Sequence, residues 1–315
     1  LDKRQELASV DAIESGFAER GYICSRRIAT AVFLAAKLGK PMLVEGPPGV
    51  GKTELAKTAA ALLELPLLRL QCYEGLDEAK ALYEWKYGKQ LLYTQVLKEK
   101  LGDLLAGAEG LAESVQRLHR FGDIFYSEEF LEPRPLLQAL RQEHGAVLLI
   151  DEVDKSDYEF ESLLLEILSD FQVSIPEIGT VSARSRPLVF LTSNNTRDVS
   201  DALKRRCLHL HIPFPSIALE ERIVASRVPE VEESLRRQLV AFVHAVRELD
   251  LRKQPAISET IDWARSLLLL HTGELDGELI EQTLNVLLKF EQDIETASAE
   301  LPALLRGARG EQRGG

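Results

Sequence analysis

Residues 41–45 read Pro-Met-Leu-Val-Glu, and they run directly into Gly46-Pro47-Pro48-Gly49-Val50-Gly51-Lys52-Thr53. The first piece is a short apolar run of strand length. The second matches the pattern G-x-x-x-x-G-K-[ST]. Glu54 to Leu63 follows as an Ala- and Leu-rich helix, stopped by Pro66. Strand, glycine-rich loop and helix in this order form the context in which the pattern carries chemistry. Glycines at 46, 49 and 51 let the backbone curl so that its N–H groups converge on phosphate oxygens. The helix start adds its positive end. Lys52 supplies a point charge for the β and γ phosphates, and Thr53 offers a hydroxyl to Mg²⁺. Gly46, Pro47, Pro48, Gly49, Val50, Gly51, Lys52, Thr53 and Glu54 are therefore the expected nucleotide cradle. A chance glycine-rich turn is the competing reading.

Working outward, Ala146-Val-Leu-Leu-Ile150 has the length and flanks of a buried parallel strand, and it ends in Asp151-Glu152. A carboxylate at the C-terminal end of such a strand faces the ligand crevice of an α/β sheet. Asp151 is thus the second expected Mg²⁺ group beside Thr53, acting through water. Glu152 is placed to polarise an attacking water. Helix capping is the plain alternative for an Asp-Glu pair after a strand. Asn194 follows another apolar strand, Pro187 to Thr192, so its amide is expected near the γ-phosphate or the attacking water. Its neighbour Asn195 reads as a turn residue. Arg205 and Arg206 close a short helix, where helix-end electrostatics competes with the role of an arginine finger reaching into a neighbouring subunit.

The remaining chain predicts helices over residues 1–20 and 25–38 and a strand over Leu67–Gln71. An aromatic-dense stretch with Tyr73, Tyr83, Trp85, Tyr87 and Tyr93 follows, then helices over Thr94–Leu118 and Leu136–Glu143. A helix over Asp157–Ser169 precedes a β-hairpin of Gln172–Ile175 and Thr180–Ser182, and Cys207–Ile212 is a last strand. Pro213 and Pro215 mark a boundary. Beyond it only helices are predicted, over 219–227, 232–249, 259–271 and 277–291. The organisation expected is an α/β domain over 1–215, with an insert near 72–95 and a hairpin near 171–184. A helical lid over 216–298 and a Gly- and Arg-rich disordered tail over 299–315 complete it.

With 315 residues the chain has room for about two domains. Fifty acidic residues against 38 basic ones give a net charge of −12, which argues against broad phosphate-driven nucleic-acid binding. No apolar run approaches membrane-span length, and the charged N-terminus lacks a signal-peptide centre, although it begins with Leu. Three scattered cysteines do not make a disulfide framework. A soluble, reduced, cytoplasmic protein is expected.

The loop EGPPGVGKTELAK, the strand end LLIDEVDKS, LTSNN and the paired arginines, followed by a helical domain, resemble the AAA+ ATPases over roughly residues 22–292. The hairpin before LTSNN and the aromatic segment after Gln71 look most like the MoxR branch. RLQCYEGLDEAKALYEW, LLEILSDFQVSIPE and LTSNNTRDVSDALKRRCLHL are similar to the CoxD accessory ATPases of carbon monoxide dehydrogenase. The resemblance implies a P-loop sheet sandwiched by helices, an ATP- and Mg²⁺-dependent ring, most often a hexamer, and nucleotide bound between subunits. It implies Asn194 as sensor 1 and Arg206, ahead of Arg205, as the finger. The insert around 76–93 and the hairpin would face the pore or a partner. It also implies a von Willebrand A domain partner and a metalloenzyme client of the molybdenum- and copper-containing dehydrogenase type.

One departure stands out. The sensor 2 arginine of the family would fall at Thr260 in SETIDWARS, with Arg265 as a possible replacement. Cys207-x-His209-x-His211 places three ligand-type residues on one strand face, where core packing is the better reading. Arg26 and Arg27 read as a solvated face rather than a nucleotide contact. Two other function classes compete with the ATPase: a nucleotide-gated binding scaffold, and a DNA-acting AAA+ motor against which the acidic charge weighs.

Overall fold

The computed structural model describes residues 7–105, 126–176, 178–271 and 275–308. The part of the expected Thr94–Leu118 helix beyond residue 105, and tail residues 309–315, lie outside these described residues. The strands in chain order are β1 (Met42–Glu45), β2 (Leu67–Gln71), β3 (Tyr83–Trp85), β4 (Leu131–Pro133), β5 (Val147–Asp151), β6 (Gln172–Ile175), β7 (Gly179–Ser182), β8 (Leu188–Ser193) and β9 (Leu208–His211). Five of them make one parallel sheet in the order β2-β5-β8-β1-β9. The central strands β5 and β8 are buried at every position. That is why they read as unbroken apolar runs instead of alternating ones.

Helices cover both faces of the sheet. On one side Met42, Val44, Val147, Leu149 and Phe190 pack with α1 (Val10–Glu19), α2 (Arg26–Leu38) and α3 (Lys52–Leu63). Short α4 (Glu78–Ala81) and long α5 (Tyr87–Leu105) follow β2. On the other face Leu43, Leu148, Ile150, Val189 and Leu191 pack with α6 (Pro135–Arg141), α7 (Tyr158–Asp170) and α8 (Asp201–Arg206). Local signals set several boundaries. Ser25 caps α2, Gly39 ends it in the left-handed conformation, Pro135 opens α6 and Asp157 caps α7.

The helical region is α9 (Ile217–Arg227), α10 (Glu233–Arg247), α11 (Ile257–Leu269), α12 (Gly277–Leu287), α13 (Glu291–Ala299) and α14 (Leu301–Ala308). Its core holds Phe242, Trp263, Leu267 and Leu284, and the buried Trp263 indole donates to Thr283 Oγ1 at 2.8 Å.

Three expectations are corrected. Residues 301–308 are not a disordered tail: α14 buries Leu301, Leu304 and Ala308 against the helical core. Its apolar stripe outweighs the Gly and Arg on its outer side. The helix expected over 277–291 ends at Leu287, because Leu288 turns extended to enter the core, and a new helix, α13, starts at Glu291. The Thr94 helix starts seven residues earlier, at Tyr87. Ahead of it, Tyr83–Trp85 is a strand paired with Leu131–Pro133, a partner too distant in sequence for local patterning to reveal.

Candidate nucleotide site

The glycine-rich loop bridges β1 and α3. Gly46 lies so close to the chain after β9 that a Cβ there would meet the Ile212 carbonyl oxygen at 2.1 Å. Gly49 has φ +74°, and a Cβ on it would come within 2.4 Å of Ala256 Cβ, at the start of α11. Only glycine permits this loop to pass between sheet and helical region. Lys52, 6% exposed, is pulled back under the loop, where Nζ donates to the Gly46 and Pro47 carbonyls and to Asn194 Oδ1, each at 2.7 Å. Burial lowers its pKa to about 8, although the neighbouring Asp154, Asp151 and Glu152 carboxylates oppose that shift.

The strand ends bring the acidic groups to the same place. Thr53 Oγ1 donates to Asp151 at 3.1 Å (Oδ1) and 3.3 Å (Oδ2). Thr192 on β8 donates to Asp151 Oδ1 at 2.5 Å and accepts the Glu152 N–H at 2.9 Å. Glu152 sits in the left-handed region, at φ 57° and ψ 50°. Such a non-glycine conformation is held by its surroundings and is frequent at functional sites. Its carboxylate accepts from Asn194 Nδ2 at 3.1 Å, Gln71 Nε2 at 2.9 Å and Lys155 Nζ at 2.6 Å. Asn194 thus links Lys52 to Glu152, as its expected position between strand ends requires. Asp154 holds that turn by accepting the backbone N–H groups of Asn194 and Thr196, at 3.2 and 3.0 Å. Asn195, at φ 58°, is the turn residue.

A family model described as AAA domain (dynein-related subfamily) matches residues 41–207, more than half of the chain and including Lys52, Thr53, Asp151, Glu152 and Asn194. The chain belongs to this AAA family. The denitrification regulatory protein NirQ of Stutzerimonas stutzeri is 23% identical over 229 residues, covering 70% of this chain and 69% of that protein. An uncharacterized protein of Staphylococcus aureus is 25% identical over 238 residues, covering 73% of this chain and 76% of its own length. The Thermotoga maritima RuvB Holliday junction branch migration motor superposes with a TM-score of 0.45 at 17% identity, over 83% of this chain and 67% of that one.

The AAA domain's donor set fits a magnesium nucleotide. Thr53 and Asp151 offer one hydroxyl and one carboxylate, and Mg²⁺ at nucleotide sites takes few protein ligands and keeps phosphate and water for the rest. When bound, the ion neutralises charge on the β and γ phosphates. Beside the loop, a cavity of about 470 Å³ is walled by Tyr22, Ile28, Phe214, Ile223, Ile257 and Ile261, a mostly apolar concavity that also meets the charged side chains of Glu54, Arg227 and Arg265. Gly49, Val50, Gly51, Glu54 and Arg265 also line it and were singled out from the sequence, whereas these six apolar residues were not, because they come from three separate segments.

Other expected residues sort cleanly. Glu54 is paired with Arg227 Nη2 of α9 at 2.8 Å. Arg205 and Arg206 are both exposed at the end of α8. Thr260 is fully buried, donating to Glu220 at 2.8 Å, so it does not face the loop. Arg265 lies on the cavity rim next to Asp262. Arg26 pairs with Asp11 at 2.6 Å, away from the cavity lining. In the Cys-x-His-x-His strand, Cys207 is buried in core and its thiol is pushed up to about 12, while His209 contacts Glu45 at 2.5 Å. Among the described residues no group of three or more His, Cys, Asp or Glu is arranged to hold a metal. None of their helices is long and apolar enough to cross a membrane. Sequence reasoning also missed Arg69 and Gln71, which touch Asp151 and Glu152 directly. Their only signal was alternation with Leu70 at the end of a strand.

Proposed function

We propose that this AAA protein is a Mg²⁺-dependent ATPase that works as a hexameric ring and remodels a protein client. The observation that carries the reading is the chain Lys52–Asn194–Glu152 lying beside the Thr53–Asp151 pair. Lys52 is set to compensate phosphate charge. Glu152 takes the proton of a water whose oxygen bonds the γ-phosphorus as the bridging β–γ bond breaks. Asn194 orients that water. The exposed Arg206 at the end of α8, with Arg205 beside it, is the group offered to a neighbouring subunit. The MoxR- and CoxD-like segments support a cytoplasmic role in maturing a molybdenum- and copper-containing dehydrogenase, beside a von Willebrand A domain partner.

The test is ATPase rate per subunit against protein concentration, with oligomer mass followed by light scattering. Wild type, Glu152→Gln, Arg206→Ala and Arg205→Ala are compared. A rate that rises with assembly, and collapses in Arg206→Ala rings that still assemble, is expected. A negligible rate indifferent to Glu152→Gln would replace the ATPase with a nucleotide-gated scaffold. Stimulation by DNA would point instead to a nucleic-acid motor.

A further inference from the structure

β2 runs parallel to β5 with Gln71 level with Asp151, so the outward residues of β2 overlook the metal-binding carboxylate. Arg69 uses that position. Its Nε and Nη2 both donate to Asp151 Oδ2, at 3.0 and 2.6 Å, and Nη2 also donates to Gln71 Oε1 at 2.7 Å. Gln71 in turn holds Glu152 Oε2 at 2.9 Å. The carboxylate's other oxygen, Oδ1, is occupied by the buried Thr192 hydroxyl. Thr53 Oγ1 also lies 3.1 Å from Oδ1 and 3.3 Å from Oδ2, so a cation drawn in between Thr53 and Asp151 meets the same carboxylate that Arg69 grips. The Asp151 side chain is 4% exposed and fixed, whereas Arg69 is 48% exposed and has room to withdraw.

We propose that Arg69 is a resident counter-cation of the metal site, displaced from Asp151 when a divalent cation binds. The inference rests on the reading of this site as one for a magnesium nucleotide. Two cations share one carboxylate, so Arg69 lowers divalent-ion affinity as long as it stays. Because its charge is half solvated, the competition is worth about three- to tenfold in affinity, the scale of a forked but exposed pair. Arg69 is a positioning residue here, acting through Asp151.

The experiment uses the full chain with saturating ADP and Mn²⁺ as the probe, free Mn²⁺ being read by electron paramagnetic resonance. Affinity for a fluorescent ADP in EDTA is measured alongside. Arg69→Met is expected to tighten Mn²⁺ binding about three- to tenfold while changing ADP affinity in EDTA by less than about twofold. Arg69→Lys keeps the charge without the fork and is expected to tighten Mn²⁺ binding by a smaller factor. It also serves if the Met variant melts early. Mn²⁺ affinity that is unchanged or weaker in the variants overturns the proposal. Wild-type protein that binds ADP with no Mn²⁺ dependence would instead overturn the magnesium-nucleotide reading, and this inference with it.

Discussion

Two polar clusters in this protein are made of the same kinds of side chain and serve opposite ends. Around Asp151 and Glu152, carboxylates meet Lys52, Arg69, Lys155, Thr53, Thr192 and Asn194. In the helical region, Glu220 meets Arg247 in a two-pronged pair at 2.6 and 2.8 Å, and adds His244 and Thr260 at 2.8 Å each. Glu220 and Thr260 are fully sealed, and Arg247 also donates to the Pro255 carbonyl and stacks over Phe214. The first cluster has half-exposed members, a left-handed Glu152 and contacts that can be exchanged. The second has none of these. It ties α9, α10 and α11 to the linker after β9. In this protein the exchangeable network lies at the phosphate loop and the sealed one holds helices together.

The largest expected effect separates the two. Glu152→Gln should lower hydrolysis on the order of 10²–10⁴-fold with a loss of stability of no more than about 1 kcal/mol, since the amide keeps the shape and gives up the base together with a half-exposed pair to Lys155. A large stability loss in that variant would erase the distinction drawn between the clusters. Glu220→Ala should do the reverse, costing about 3–5 kcal/mol in denaturant unfolding by stranding the buried Arg247 charge. Replacing the pair together, Glu220→Leu with Arg247→Met, should recover most of that loss. If it does not, the pair does more than hold helices.

Acid provides a third test. Burial alone would raise the Glu220 pKa, but hydrogen bonds from His244, Arg247 and Thr260 and the Arg247 charge outweigh it and hold the group near 2. A carboxylate depressed from its ordinary 4.5 stabilises the fold fully above that value. The contribution, about 3 kcal/mol, is lost as pH falls from 4.5 toward 2. Stability curves of wild type and Glu220→Gln should therefore converge over that window.

The smallest effect lies at the loop. With Lys52 at about 8, its ammonium is lost as pH rises past that value, so phosphate affinity is retained below it and declines above it. The decline should approach about tenfold per pH unit, or about 1.4 kcal/mol. Nucleotide affinity that stays flat from pH 7 to 10 would show that Lys52 does not carry the phosphate interaction.

The local parts of this molecule were legible in the chain. GPPGVGKT, the strand VLLID with Asp151-Glu152, and Asn194 after LVFLTS each depend on short-range pattern, because loop curvature, strand burial and turn chemistry are set within about ten residues. Sheet order is not. That β2 lies beside β5, and so aims Arg69 and Gln71 at Asp151 and Glu152, depends on long-range pairing that no local period records. The same holds for β3 finding β4 across the intervening segment. It holds as well for Thr260, whose place in the sequence matches a nucleotide sensor but whose hydroxyl is spent on Glu220. The tail shows it from the other side: α14 forms because α10 and its neighbours offer a surface on which Leu301 and Leu304 can be buried. A helix of that length has too few hydrogen bonds to stand alone in water. The sequence by itself determined which groups could do phosphate chemistry. Tertiary packing decided which of them meet, since proximity across the fold is a property of buried surfaces and not of spacing along the chain.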